Sequence, residues 1–335
     1  MTTEILSTHA PELFQEAVRR AAELLRAGEL VALPTETVYG LAANALDEIA
    51  VDKIFKVKGR PSHNPIIVHV ADSETARNCV KQWPATAEKL ARAFWPGPLT
   101  LVLPRAEKIP GVVTAGGDTV GIRWPAHPFM QAVIRACGFP LAAPSANLSN
   151  QISPTNAAHV YAQLGGRIPL IVDGGQSQVG IESTVLDLAV SPARILRPGM
   201  IHAESLAAAG LPIAECQLPN EAKALKSPGM LKKHYAPKAR LLVLKWQNDT
   251  ELQSQIGNRQ LAIGNVQVIA HTNIPAGFPA ANVSVIPHDA EAFARALYAE
   301  LHRCDAAGAE TIVVEAPPDL PAWSGIADRL RRAAA

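Results

Sequence analysis

Three cations, Lys56, Lys58 and Arg60, fall within five residues beside Gly59 and Pro61, and the chain then runs into an apolar stretch, Pro65–Val70. Cations this dense next to glycine suit a phosphate group, with Arg as a planar fork and Lys as a point charge. The commoner fate of such a run is a solvated basic loop. Asn64 and His69 need separate explanations, and a His in an apolar strand is more often a satisfied core residue than a ligand. A second polar stretch, Pro34–Leu41 (PTETVYGL), sets Thr35, Glu36, Thr37 and Tyr39 just past a strand, where α/β domains build sites. Its alternative is a turn with capping threonines. In Gly116–Pro125 the glycines permit close backbone approach to a ligand, Thr119 follows them, and Arg123 at a strand end suits either a carboxylate or a surface ion pair. Ala142–Ser149 (AAPSANLS) ends a strand in Ser145 and Asn147, small groups able to donate to phosphate or ribose oxygens, with Ser153 soon after. Gly180–Val185 carries Glu182 and Ser183, and Ile195–Gly199 adds Arg197, another cation at a strand end. Trp95–Thr100 (WPGPLT) reads as structural, a sharp turn fixed by two prolines around Gly97.

The pattern has cations and polar groups at many strand ends, but no Cys or Ser paired with an obvious base. It favours binding, orienting and electrostatic stabilisation over covalent catalysis. There is no GxxxxGK[ST] loop, no GxGxxG after a strand, no HExxH and no GxSxG. Nucleotide chemistry here would need a different phosphate cradle.

These stretches must be held by regular elements. Apolar residues at Leu13, Phe14, Ala17, Val18, Ala21, Leu24 and Leu25 give one face of a helix over Pro11–Ala27, with Pro11 in its first turn and Gly28 at its end. Strands are expected at Leu30–Leu33, Pro65–Val70, Leu99–Leu103, Val120–Ile122, Leu141–Ala143, Leu170–Val172, Thr184–Leu188 and Ala193–Leu196. Helices are expected at Ala85–Phe94, Pro128–Ala136 and Asn156–Leu164. The result is a mixed α/β domain over residues 1–205. Residues 206–239, with lysines, prolines and few strand signals, read as an interdomain linker. Beyond it, over 240–335, strands (Leu241–Lys245, Gln260–Ile263, Val283–Ile286, Thr311–Glu315) alternate with helices (Thr250–Ile256, Asp289–Ala306, Trp323–Arg332), as in a small Rossmann-like parallel sheet.

Bulk properties agree with such a chain. Of 335 residues 48% are apolar and 18% charged, enough for sizeable cores in about two domains. The formal net charge of +1 gives no global field for nucleic acid. Cys79, Cys137, Cys216 and Cys304 form no CxxC pair, so reduced thiols in a cytoplasmic protein are the simpler reading. The start, MTTEILSTHAPELF, does not read as a signal peptide, and no apolar run is long enough for a membrane span.

In their order, PTETVYGL, KGRP with NPIIVHV, WPGPLT, GIRWPAHP, APSAN, ESTV and ILRPG resemble the YrdC and Sua5 family, the L-threonylcarbamoyladenylate synthases. Ser227–Met230 (SPGM) and Lys233–Pro237 (KHYAP) resemble the long, two-domain Sua5 branch. The resemblance implies a YrdC-like twisted mixed sheet with helices. It also implies a reaction in which L-threonine, bicarbonate and ATP with Mg²⁺ give threonylcarbamoyl-AMP and pyrophosphate, for modification of an adenosine in tRNA. It makes Lys58 and Arg60 the catalytic pair. It places Lys58, Arg60, Asn64, Thr119, Ser145, Asn147, Ser153, Arg197 and Tyr235 on ATP, and Thr37, His69, Arg123, Ala143 and Ser183 on threonine, with Ala143 offering only backbone or van der Waals contact. The segment Lys232–Pro237 would serve as a lid. The metal would be carried on the ATP phosphates rather than by protein ligands. tRNA and the tRNA threonylcarbamoyltransferase complex are the implied partners of a monomer. Three competing readings are a non-catalytic tRNA- or double-stranded-RNA-binding protein, a carbamoyl transferase of the hydrogenase-maturation type, and an ATP-binding regulator. The second expects an acylphosphatase-like domain and zinc-finger cysteines that this sequence lacks.

Overall fold

The structure, a computed structural model, describes residues 2–211, 213–214, 234–257 and 266–335. It divides into two compact units, one built from residues 1–149 and 153–230 and the other from 150–152 and 231–335. Ser227–Met230, Lys232, Lys233, Cys216 and the expected strand Gln260–Ile263 lie outside the described residues.

The first unit holds strands β1 (Glu4–Ser7), β2 (Val31–Leu33), β3 (Gly40–Asn44), β4 (Val68–His69), β5 (Leu99–Pro104), β6 (Thr119–Arg123), β7 (Leu141–Ala142), β8 (Leu170–Asp173), β9 (Thr184–Asp187), β10 (Ala193–Arg197) and β11 (Ile213–Ala214). They form one sheet of mixed direction in the order β1-β8-β2-β3-β7-β4-β6-β5-β9-β10-β11. The helices are α1 (Pro11–Arg26), α2 (Glu48–Lys58), α3 (Ser73–Asn78), α4 (Ala85–Phe94), α5 (Pro128–Cys137), α6 (Ala157–Leu164) and α7 (Ala203–Ala208).

Side chains alternate between the two faces of each strand, and the two faces are covered differently. On one face Ala32, Leu41, Ala43, Val68, Leu101 and Ile122 pack with residues of α2, α4 and α6 into a single large core. On the other, α1 and α5 pack over β2, β3, β7 and β8 through Ala21, Leu25, Phe129 and Val133. The remainder of that second face, across β4, β5, β6 and β9, carries only a small apolar group: Ile67, Val102, Val185 and Leu196. This half is where a shallow depression forms, lined by Pro65, Ile67, Thr100, Thr119, Gly121 and Val185 among others.

Two further local features are fixed by capping and by close backbone approach. Asp47 caps α2 by accepting from the N–H groups of Ile49 (2.9 Å) and Ala50 (3.2 Å), and Gly59 closes its other end at φ +59°. Lys58 is therefore the last helical residue and Arg60 begins the loop beyond it. Gly199 approaches the neighbouring chain so closely that a Cβ would stand 2.6 Å from Thr184 N and 2.8 Å from Glu182 O.

The second unit has β12 (Arg240–Leu244), β13 (Val266–Ala270), β14 (Val283–Val285) and β15 (Thr311–Glu315) in a parallel sheet ordered β12-β15-β13-β14, with helices α8 (Asp249–Gly257), α9 (Ala290–Ala306) and α10 (Ser324–Ala333). This is the Rossmann-like alternation expected. In the same unit Tyr235 has a left-handed backbone, φ 63°, and its ring lies 4.0 Å from that of His234 and 5.9 Å from that of Tyr298, with the Arg329 guanidinium 5.3 Å from its centroid. Among the described residues no helix is long and apolar enough to cross a membrane.

Gly199→Ala should lower the stability of the first unit by about 1–3 kcal/mol, the usual cost of forcing extra atoms into a packed site. Urea titration read out by fluorescence checks this, and an unchanged midpoint would show that the backbone yields without cost.

Candidate active site

Strand alternation decides which side chains reach the open half of the sheet. Val68 and Ile122 face the large core, so His69 and Arg123, next in sequence, face the other side. The two sit opposite each other in register on the neighbouring strands β4 and β6. Thr119 and Gly121 share the side of Arg123. Thr100 shares the side of Val102, and Ser183 that of Val185.

The groups at this face are buried and tied to one another. Arg123 donates through Nη1 to Thr37 Oγ1 (2.8 Å) and through Nε to Gly97 O (3.3 Å), while its Nη2 stands 2.7 Å from Glu36 Oε1. That last contact is a buried ion pair. Thr35 Oγ1 donates to Val38 O (2.6 Å) and lies 2.9 Å from Thr37 Oγ1, so the Thr37 hydroxyl proton points to Thr35 while its lone pairs serve Arg123. Burial raises the Glu36 carboxyl, but the Arg123 charge together with hydrogen bonds from Arg123 and from backbone N–H groups outweighs it and holds the group below the usual range.

Lys58, only 2% exposed, directs its ammonium to the carbonyls of Ser145 (2.5 Å) and Asn147. Burial, reinforced by the Arg60 charge, holds its pKa well below the ordinary lysine value. Arg60 donates to Asn64 O (3.1 Å) and Pro65 O (2.7 Å). Asn64 is fully buried, yet neither end of its amide has a hydrogen-bond partner. Arg197 donates to Ser183 O and to Ser183 Oγ, each at 3.1 Å, and Ser183 Oγ is 2.8 Å from Thr100 Oγ1. Ser153 donates to Glu182 Oε1 at 2.5 Å. Ala143 is buried beside β4, its N–H bonded to Ile67 O (3.1 Å).

Four cations, Lys58, Arg60, Arg123 and Arg197, are thus buried in this unit, together with the carboxylates of Glu36, Glu182 and Asp187. Buried polar atoms without hydrogen-bond partners are rare. Here they include both ends of the Asn64 amide, His69 Nδ1 and Arg123 Nη2. Of these, the Arg123 N–H and the Asn64 amide N–H can donate to an anionic ligand. His69 is pushed down to about 3, by burial first and the Arg123 charge second, so its ring is neutral and offers one donor and one acceptor. Among the described residues no three His, Cys, Asp or Glu side chains are grouped to hold a metal ion.

The geometry joins the expected residues of the first unit in separate groups: Lys58 with Ser145 and Asn147, Arg60 with Asn64, Arg123 with Thr37 and opposite His69, and Arg197 with Ser183, while Thr119 stands at the far end of β6 from Arg123. Tyr235 belongs to the second unit. Glu36 and Glu182 stand in polar stretches singled out from the sequence but were given no ligand there, and Thr100, in a stretch read as structural, was given none either.

A family model described as telomere recombination, covering Sua5, YciO and YrdC, matches residues 23–199, and a second, the C-terminal domain of threonylcarbamoyl-AMP synthase, matches residues 201–335. The chain belongs to the Sua5–YrdC family. Its Sua5-type relatives include the threonylcarbamoyl-AMP synthase of Bacillus subtilis, 42% identical over 99% of this chain and 95% of that protein, and that of Pyrococcus abyssi, 40% identical over 94% and 93%. The solved structure of P. abyssi Sua5 complexed with L-threonine superposes with a TM-score of 0.89 at 38% identity, covering 100% of this chain and 98% of that one. E. coli YciO, at 22% identity and a TM-score of 0.53, shares the fold.

The depressed His69 also affects stability. Between about pH 6.5 and 3 the unfolded chain takes up a proton on this ring that the folded one refuses, so its contribution to stability falls as pH falls through that window and is constant above it. Imidazole NMR should show His69 neutral down to about pH 4. A titration midpoint near 6.5 would contradict its burial.

Proposed function

We propose that this chain is an L-threonylcarbamoyladenylate synthase, converting L-threonine, bicarbonate and ATP to threonylcarbamoyl-AMP and pyrophosphate. The observation that carries this for the site itself is the group of buried cations, Lys58, Arg60, Arg123 and Arg197, beside unpartnered polar atoms of Asn64 and His69, in a member of a synthase family with a relative solved with L-threonine. The substrates suit such cations, since each is an anion or carries an anionic group.

The threonine carboxylate pairs with Arg123, whose planar fork fits it. Thr37 and neutral His69 read the amine or side chain, and Ala143 and Ser183 complete the walls. Lys58 and Arg60 face the ATP phosphates with Ser145 and Asn147, while Asn64, Thr119, Ser153 and Arg197 contact the nucleotide. ATP enters as its magnesium complex, the ion carried on the phosphates. The amine and bicarbonate condense with loss of water to an N-carboxylate. A carbamate oxygen then attacks the α-phosphorus, the bond to the bridging oxygen breaks, and pyrophosphate leaves with its charge held by Lys58 and Arg60. Excluding water protects the carbamate. The enzyme acts as a monomer in the cytoplasm and supplies the complex that modifies tRNA.

Pyrophosphate release by the purified protein should require both L-threonine and bicarbonate, and the product should have the mass of threonylcarbamoyl-AMP. Arg60→Ala should lower kcat/KM by about 10²–10³-fold, as loss of an electrostatic donor does elsewhere. ATP turnover indifferent to threonine and bicarbonate would refute the reading.

A further inference from the structure

Glu36 has a position that the substrate assignment does not explain. Its side chain is buried, and its carboxylate pairs with Arg123 Nη2 at 2.7 Å. A carboxylate kept dry in this way is destabilising unless the charge it faces is itself needed there. Arg123 is held from three sides: Glu36 on Nη2, Thr37 Oγ1 on Nη1 and the Gly97 carbonyl on Nε. A guanidinium has five N–H donors. With those three directions fixed, its plane and roll are set before any ligand arrives, and the remaining N–H groups keep a single orientation.

The surrounding charge gives Glu36 a second consequence. Lys58, Arg60 and Arg197 are also buried in this unit, and a bare Arg123 would add a fourth positive centre attractive to any phosphate. Paired with Glu36, Arg123 presents directed donors with little net charge. That suits the carboxylate of an amino acid and disfavours a polyanion.

From this geometry we infer that Glu36 is a positioning residue that fixes Arg123 for the threonine carboxylate and reserves it from the nucleotide phosphates. The inference rests on the assignment of threonine to Arg123 made above.

Calorimetric titration of the full-length protein with L-threonine, and separately with ATP and magnesium, tests it. Glu36→Gln should weaken threonine binding by about tenfold or more, the effect of a tenfold change per 1.4 kcal/mol of lost alignment, and leave ATP binding within about twofold. ATP should in addition become a competitor of threonine in this variant. On an Arg123→Lys background the same substitution should add little to the threonine defect, because Glu36 acts through the guanidinium. A general loss of structure would instead weaken both ligands and add to the Arg123→Lys defect. Should Glu36→Gln fail to fold, Glu36→Asp keeps the charge but shortens the reach, and it should weaken threonine binding without touching ATP. Threonine affinity unchanged or improved in a folded Glu36 variant overturns the inference. Threonine affinity unchanged in Arg123→Lys and Arg123→Gln overturns the assignment on which it rests.

Discussion

The first unit is organised around an irregular segment buried where loops are seldom found. Thr35 is 2% exposed, Thr37 1% and Tyr39 0%, yet the segment belongs to neither β2 nor β3. Backbone groups sealed from water must find partners inside the protein, and neighbouring loops supply them. The Tyr39 N–H bonds to Pro154 O and its carbonyl accepts from Ala146, while Val179 and Gly180 donate to the carbonyls of Glu36 and Thr37. Ser177 Oγ donates to Thr35 O, and the Tyr39 hydroxyl reaches Gly175 O. Two distant loops, one before Pro154 and one after Asp173, are therefore fixed by the needs of a single segment. Between them they carry Ser145, Asn147, Ser153 and Ser183.

The same loops bury charge. Lys58, Arg123 and Arg197, at the ends of α2, β6 and β10, turn inward rather than to solvent, and Glu36 and Glu182 are buried with them. Such an arrangement gains little for folding. It does provide preorganised donors for an anion, which is how charge developing on phosphate is stabilised.

Much of this was legible in the sequence, through spacing. The helix Ala85–Phe94 and the strand Thr311–Glu315 have the bounds their apolar patterns require. Lys58 and Arg60 stood out because a glycine between two cations is unusual. Strand β3 did not, since GLAAN has no β-branched or aromatic residue and is a strand only because β2 and β7 flank it. Helix α2 went unrecognised although Asp47 and Gly59 bracket it and Ala50, Val51, Ile54 and Phe55 mark its buried face. The basic run at its end drew the eye to a loop. Pairings such as Glu36 with Arg123 join residues far apart in the chain, and no local pattern encodes them.

A structure of the protein crystallised with L-threonine and a non-hydrolysable ATP analogue tests the central claim most directly. The account predicts the amino-acid carboxylate on Arg123, beside Thr37 and His69, and the phosphates within hydrogen-bonding distance of Lys58 and Arg60. Either ligand bound elsewhere, with Lys58, Arg60 and Arg123 still turned to the protein's own carbonyls and carboxylates, would contradict it.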